Sequence, residues 1–231
     1  MSNFLKDKCQ PIAYKLMTPL INLLVYMRIT PNMITLIGLV LNILASISLV
    51  YMGIHNPQDL TILALYGVCL LMASFFDMVD GRLARVTNSS SRFGALFDSV
   101  LDRYSELIMF GGLCVYLGLQ HNVIGVLLSF ISLIGSIMVS YIRARAEGLG
   151  IECKEGLMQR PERILLIGFS TIITGIIYVF ETQGQADMSN GITMSATSTM
   201  FFNGTLLFMA ISTNYTAMSR LLDAKNKLND E

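Results

Sequence analysis

Six apolar stretches, at about residues 33–53, 60–77, 95–117, 123–142, 164–181 and 200–220, constrain this chain more than any other feature. Each is long enough to cross a ~30 Å hydrocarbon core at ~1.5 Å per helical residue. Inside hydrocarbon a spanning segment must satisfy its own backbone hydrogen bonds, and a helix does so within one segment. Of the 231 residues, 53% are hydrophobic and 14% charged, against roughly 25% charged in soluble domains. The pattern predicts an all-α integral membrane protein with six transmembrane helices. The stretch ahead of the first span lacks the small-residue cleavage site of a signal peptide.

A formal net charge of zero hides an asymmetry. With six spans, the loops 54–59, 118–122 and 182–199 contain no Lys or Arg, and all 16 of these residues lie toward the opposite side. The positive-inside rule then places both the N and C termini at the cytoplasmic face of a multi-pass inner-membrane protein. Residues 3–28 mix apolar side chains with Lys6, Lys8, Lys15 and Arg28 and contain Pro11 and Pro19. They read as an amphipathic helix lying along the interface, with a true crossing helix as the alternative. The chain divides into a juxtamembrane segment (1–29), a helical domain (30–222) and a polar tail (223–231), with no internal repeat. The 182–199 loop is polar and expected to be flexible. Cys9, Cys69, Cys114 and Cys153 show no paired spacing, so free thiols and no zinc site are expected. His55 and His121 fall in the opposite loops and are not expected to bind metal. Nucleic acid is not an expected partner.

The costly residues are acidic. Asp77 and Asp80 are three apart, and Asp98 and Asp102 four apart, so each pair shares one face of its helix. Packed side by side, the two helices would gather four carboxylates that stay ionised together only beside cations. Two hard divalent ions such as Mg2+ or Mn2+ suit four oxygen ligands. Gly81 and Gly94 flank the pairs where a missing side chain would let a flat ligand reach the backbone. Asn32 and Thr35, at the start of the first span, lie at the same membrane level.

Arginines supply the complementary charge. Arg143, Arg145, Arg160 and Arg163 crowd the ends of the fourth and fifth spans, and Arg220 closes the sixth. A guanidinium fork at such a level suits a phosphate. Glu106 continues the Asp98–Asp102 stripe one turn deeper as a possible fifth acid. Buried acids also occur in divalent-cation transporters, which place them near the midplane and show repeated halves; neither feature is present here.

The spacing of Asp77, Asp80, Gly81, Ala84, Arg85, Gly94, Asp98 and Asp102 resembles the signature of the CDP-alcohol phosphotransferase family at all eight positions. The resemblance implies six-helix enzymes, usually homodimeric, that move a substituted phosphate from a CDP-linked donor to an alcohol and release CMP. By position it implies metal binding at Asp77, Asp80, Asp98 and Asp102, with Asp102 also the general base. Gly81, Ala84, Arg85 and Gly94 would line the cytidine diphosphate pocket with Asp77, and Asn32 and Thr35 nearby. The runs SYIRARAEG and QRPER are similar to the branch that makes phosphatidylinositol phosphate, with an archaeal ether-lipid counterpart. That similarity implies CDP-diacylglycerol as donor and inositol 1-phosphate as acceptor, held by Arg143, Arg163 and Arg220, with Arg145 and Arg160 as further possible ligands. Arg143 departs from the lysine frequent in relatives but keeps the charge. Glycerol 3-phosphate, another phosphomonoester, would suit the same arginines and make the enzyme a phosphatidylglycerol phosphate synthase.

Overall fold

The computed structural model describes residues 17–56, 59–153, 156–184 and 196–229. Every regular element among them is helical: α1 (Met17–Tyr26), α2 (Pro31–His55), α3 (Thr61–Val86), α4 (Arg92–Leu119), α5 (Val123–Glu147), α6 (Arg160–Gly184) and α7 (Ala196–Asn229). Local chemistry sets several starts. Extended Thr30 precedes Pro31, whose fixed φ and missing N–H suit the first turn of α2. The Ser91 hydroxyl accepts from the Gly94 N–H to cap α4, and the Asn122 carbonyl caps α5 by accepting from the Gly125 N–H.

Helices α2, α3, α5 and α6 are long and apolar enough to cross a membrane, by length and composition. Helices α4 and α7, with 28 and 34 residues, are as long; α4 carries Arg92, Asp98, Asp102, Arg103 and Glu106 toward its start, and α7 is less apolar along its length. Six helices close a ring in which α2 packs on α3, α3 on α6, α6 on α7, α7 on α5, α5 on α4 and α4 back on α2. Leu49, Leu63, Tyr66, Phe110, Leu113 and Phe202 fill its interior, while Leu44, Ile47, Ile131 and Phe208 point outward. Without a hydrophobic drive between helices in lipid, contact depends on small residues that let backbones approach. Gly67 shows this best, because a Cβ there would overlap the Gly168 carbonyl oxygen and the Thr171 hydroxyl on α6.

The helices run further than the hydropathy pattern suggests. Residues 78–94, expected as a loop, continue α3 to Val86, and the fourth-span helix continues to Glu147. A helix that leaves hydrocarbon keeps its backbone bonds while its side chains turn polar, so hydropathy marks the membrane boundary rather than the helix end. The polar tail from 223 likewise extends α7 to Asn229. Helix α1 buries Met17 and Ile21 against Ile34, Val79 and Leu83, and Arg82 donates to the Thr18 hydroxyl at 2.9 Å. Among the described residues Cys69, Cys114 and Cys153 are free thiols. Cys9, the first sixteen residues and most of the 182–199 loop lie outside the described residues.

Candidate active site

Helices α3 and α4 both pack on α2 and face each other across it. One carboxylate oxygen from each of Asp77, Asp98 and Asp102 lies within 4.8 Å of the others. Asp80 stands beside this trio but turns toward α2, where its carboxylate accepts a 2.6 Å hydrogen bond from the Thr35 hydroxyl. The expected convergence of four acids is therefore three in contact and a fourth held by a neighbour. Asp98 Oδ1 is buried with no hydrogen-bond partner among the described residues. Three close oxygens and one orphaned lone pair fit a hard divalent cation, which oxygen ligands alone can satisfy.

Arg160, at the start of α6, enters this cluster. Its Nη1 donates a 2.8 Å hydrogen bond to Asp77 Oδ2, and its Nη2 forms an ion pair with Asp102 Oδ1 at 2.8 Å. Arg103 adds a weaker attraction, 3.7 Å from Asp102 Oδ2, while donating to the Ser99 carbonyl at 2.6 Å. The guanidinium thus supplies positive charge where the sequence reading called for divalent ions. That contact is invisible in spacing because it joins residues 83 apart in the chain.

Two clefts open from the acids. The first, of about 230 Å³, is lined by Asn32 and Thr35 of α2, Asp80, Gly81, Ala84 and Arg85 of α3, and Gly94 and Asp98 of α4. All the residues expected to contact the nucleotide, apart from Asp77, line this one space. At Gly81 the only atom near an added Cβ would be an Arg85 terminal nitrogen at 3.8 Å, so the helix surface there is bare toward the cleft. Ser89, Ser90 and Ser91 of the α3–α4 loop complete the wall. The sequence reading missed them, although three hydroxyls in a row between the two signature glycines were the available signal.

The second cleft, about 320 Å³, shares Asp98 with the first, includes Asp102, and is lined by Arg103, Arg143, Arg160, Arg163 and Arg220, with Gln159, Ser140 and Glu147. Arg143, Arg163 and Arg220 converge as expected, and Arg103 and Gln159 are additions. Arg145 is exposed and lines neither cleft. The basic groups are not equally available. Arg143 is paired with Glu147 at 2.9 Å near the rim; Arg220 donates to the Val139 carbonyl at 2.9 Å. Arg163 is fully buried at the floor, where Nε and Nη2 both donate to Glu106 Oε1 and Nη1 donates to the Met158 carbonyl at 3.0 Å. Glu106 is therefore an ionic partner of Arg163, with a further 2.9 Å hydrogen bond from Ser136.

The sequence and the fold both have counterparts in known proteins. The profile of the CDP-alcohol phosphatidyltransferase family matches residues 28–218. An uncharacterized protein of Aquifex aeolicus is 39% identical over 176 residues, 76% of this chain and 84% of that one. The phosphatidylinositol phosphate synthase of Mycobacterium marinum is 34% identical over 152 residues, 64% of this chain and 61% of that protein. The archaetidylinositol phosphate synthase of Pyrococcus horikoshii is 36% identical over 149 residues, 64% of this chain and 72% of that protein. In fold, the chain is similar to the crystal structure of Mycobacterium tuberculosis phosphatidylinositol phosphate synthase with CDP-DAG bound, with a TM-score of 0.71, 24% identity and coverage of 91% of this chain and 94% of that one. The same enzyme in complex with manganese and citrate gives a TM-score of 0.72 at 24% identity, covering 90% and 88%. The chain belongs to the CDP-alcohol phosphatidyltransferase family and is an enzyme of that class.

Proposed function

We propose that this enzyme transfers a phosphatidyl group from CDP-diacylglycerol to inositol 1-phosphate, giving phosphatidylinositol phosphate and CMP. The observation that carries the reading is that a polar, glycine-floored cleft and an arginine-lined cleft share Asp98 in their walls, with Asp102 lining the second. A donor diphosphate lying in the first and a phosphorylated alcohol in the second would meet at those carboxylates. The names of the Mycobacterium marinum and Pyrococcus horikoshii relatives support the acceptor. A neutral acceptor would make no use of the positive charge that Arg143, Arg163 and Arg220 gather in one cleft.

In this reading Asn32, Thr35, Gly81, Ala84, Arg85 and Gly94 hold the cytidine diphosphate, and Arg143, Arg163 and Arg220 hold the acceptor's phosphate. Asp77, Asp80, Asp98 and Asp102 would hold two Mg2+ or Mn2+ ions, which when bound supply positive charge for the diphosphate and the departing CMP. Asp102 lines the arginine cleft and takes the proton of the acceptor hydroxyl as its oxygen bonds to the phosphorus bearing the diacylglycerol. The bond from that phosphorus to the CMP oxygen breaks in the same displacement. All six ring helices cross the inner membrane, α1 rests on its cytoplasmic surface, both termini and both clefts face the cytoplasm, and two copies form a homodimer.

CMP release by the purified protein with CDP-diacylglycerol and Mg2+ tests the reading, with inositol 1-phosphate, glycerol 3-phosphate, serine and free inositol as acceptors. Turnover with inositol 1-phosphate alone is expected. Turnover with glycerol 3-phosphate instead would reassign the arginine cleft, and turnover with serine or free inositol would overturn its role in binding phosphate.

A further inference from the structure

Glu106 and Arg163 form the most deeply buried ion pair among the described residues, with side chains 2% and 1% exposed. A pair so placed gains little net stability, because desolvating two charges offsets most of their attraction. Its geometry points to another use. Arginine has five N–H donors; three of those on Arg163 are engaged, two by Glu106 Oε1 and one by the Met158 carbonyl. What remains is one N–H on each terminal nitrogen, a two-pronged fork at the floor of the arginine cleft.

The other oxygen of Glu106 is equally informative. Glu106 Oε2 is buried with no partner, and so is Arg160 Nε. One is an acceptor, the other a donor, and both residues line the same small internal cavity beneath the acids, together with Asn42, Ser74 and Ser105. Its volume of about 20 Å³ accommodates one water, for which ~10–15 Å³ suffices, and its walls supply the two to four polar partners a buried water needs.

We propose that Glu106 is a positioning residue for the acceptor's phosphate: Oε1 locks the Arg163 fork, and Oε2, through one buried water, holds the Arg160 guanidinium from its Nε side. Ser136 fixes the carboxylate by donating to Oε1. Both arginines line the same cleft, so one carboxylate sets the orientation of two cationic groups on its floor without touching substrate itself. A phosphate dianion then meets a guanidinium already aligned for bidentate contact, which preserves the side-chain entropy that a free arginine would lose on binding.

The inference rests on the arginine cleft being the acceptor's phosphate site, and the experiment separates the two. In Glu106→Gln the fork keeps one amide oxygen but loses its charged anchor. Dissociation constants for inositol 1-phosphate and for inorganic phosphate are expected to rise about tenfold or more, as loss of a charge-assisted hydrogen bond implies. The Michaelis constant for CDP-diacylglycerol should stay within about twofold, and Glu106→Asp should recover part of the loss. If a buried arginine facing an amide prevents folding, the neutral pair Glu106→Gln with Arg163→Met is compared with Arg163→Met alone; a further loss of phosphate affinity of no more than about threefold is expected, since only the water-mediated hold on Arg160 is left to lose. Phosphate affinity unchanged in Glu106→Gln, or weakened equally with donor affinity, would overturn the inference, as would a tenfold or larger further loss in the double variant beyond Arg163→Met. A wild-type protein that binds inorganic phosphate but not inositol 1-phosphate would refute the acceptor assignment while leaving the role of Glu106 to be decided by the phosphate arm.

Discussion

Arg160 bridges Asp77 and Asp102 with a hydrogen bond to one and an ion pair to the other, each at 2.8 Å, so any divalent cation reaching those carboxylates competes with a guanidinium already there. Removing it leaves the acids with less compensating charge and a stronger pull on metal. Arg160→Gln should therefore bind Mn2+ about tenfold more tightly, an estimate from opposite charges within a few ångströms at a partly buried site; titration by electron paramagnetic resonance reads it directly. Unchanged or weaker Mn2+ binding would mean that Arg160 supports the cluster's shape rather than competing for it. Asp102 has a complementary expectation. Asp102→Asn keeps an oxygen for its neighbours but cannot accept a proton, so turnover should fall by about 10²-fold or more, the range for loss of a general base, while CDP-diacylglycerol still binds. Near-normal turnover would remove Asp102 as the base.

At the scale of elements, the acidic helices were legible because a helix repeats every three to four residues, so spacing alone put Asp77 with Asp80 and Asp98 with Asp102. The two clefts were legible in content, through glycine, arginine and the family signature. Pairings between distant helices were not. Arg160 on Asp77 joins residues 83 apart, and Arg163 on Glu106 joins residues 57 apart; the first depends on α3 packing beside α6 and the second on α4 reaching α6 across the ring, which no local pattern encodes. Helix ends were misjudged for a related reason, since α3 and α5 continue past the hydrocarbon with polar faces. The α3–α6 contact yields its own test. Gly67→Val would drive a side chain into the Gly168 carbonyl and Thr171, and overpacking of this kind destabilises by about 1–3 kcal/mol. Thermal unfolding in detergent should show a lower midpoint, and because α6 carries Arg160 the variant should also lose activity before it unfolds. An unchanged midpoint would mean that the two helices can separate at no cost.

At the scale of the molecule, the proposed orientation can be read with two cysteines placed one at a time in a background without native thiols. Ser90 lies exposed in the α3–α4 loop, and Val123 lies exposed at the start of α5. In sealed right-side-out vesicles, a membrane-impermeant maleimide should label Val123→Cys and spare Ser90→Cys, with the reverse in inside-out vesicles. Labelling of both positions from one side would refute the six-span threading. The ring also has a consequence for descent. The glycine-floored cleft is built wholly from residues 31–98, whereas the arginine cleft, apart from Asp98–Arg103, comes from residues 139–220. On the proposed assignment, nucleotide binding and choice of alcohol would sit in separate halves of the chain, and a chimera exchanging α5–α7 for those of a relative with another acceptor should inherit that relative's alcohol while keeping this chain's nucleotide.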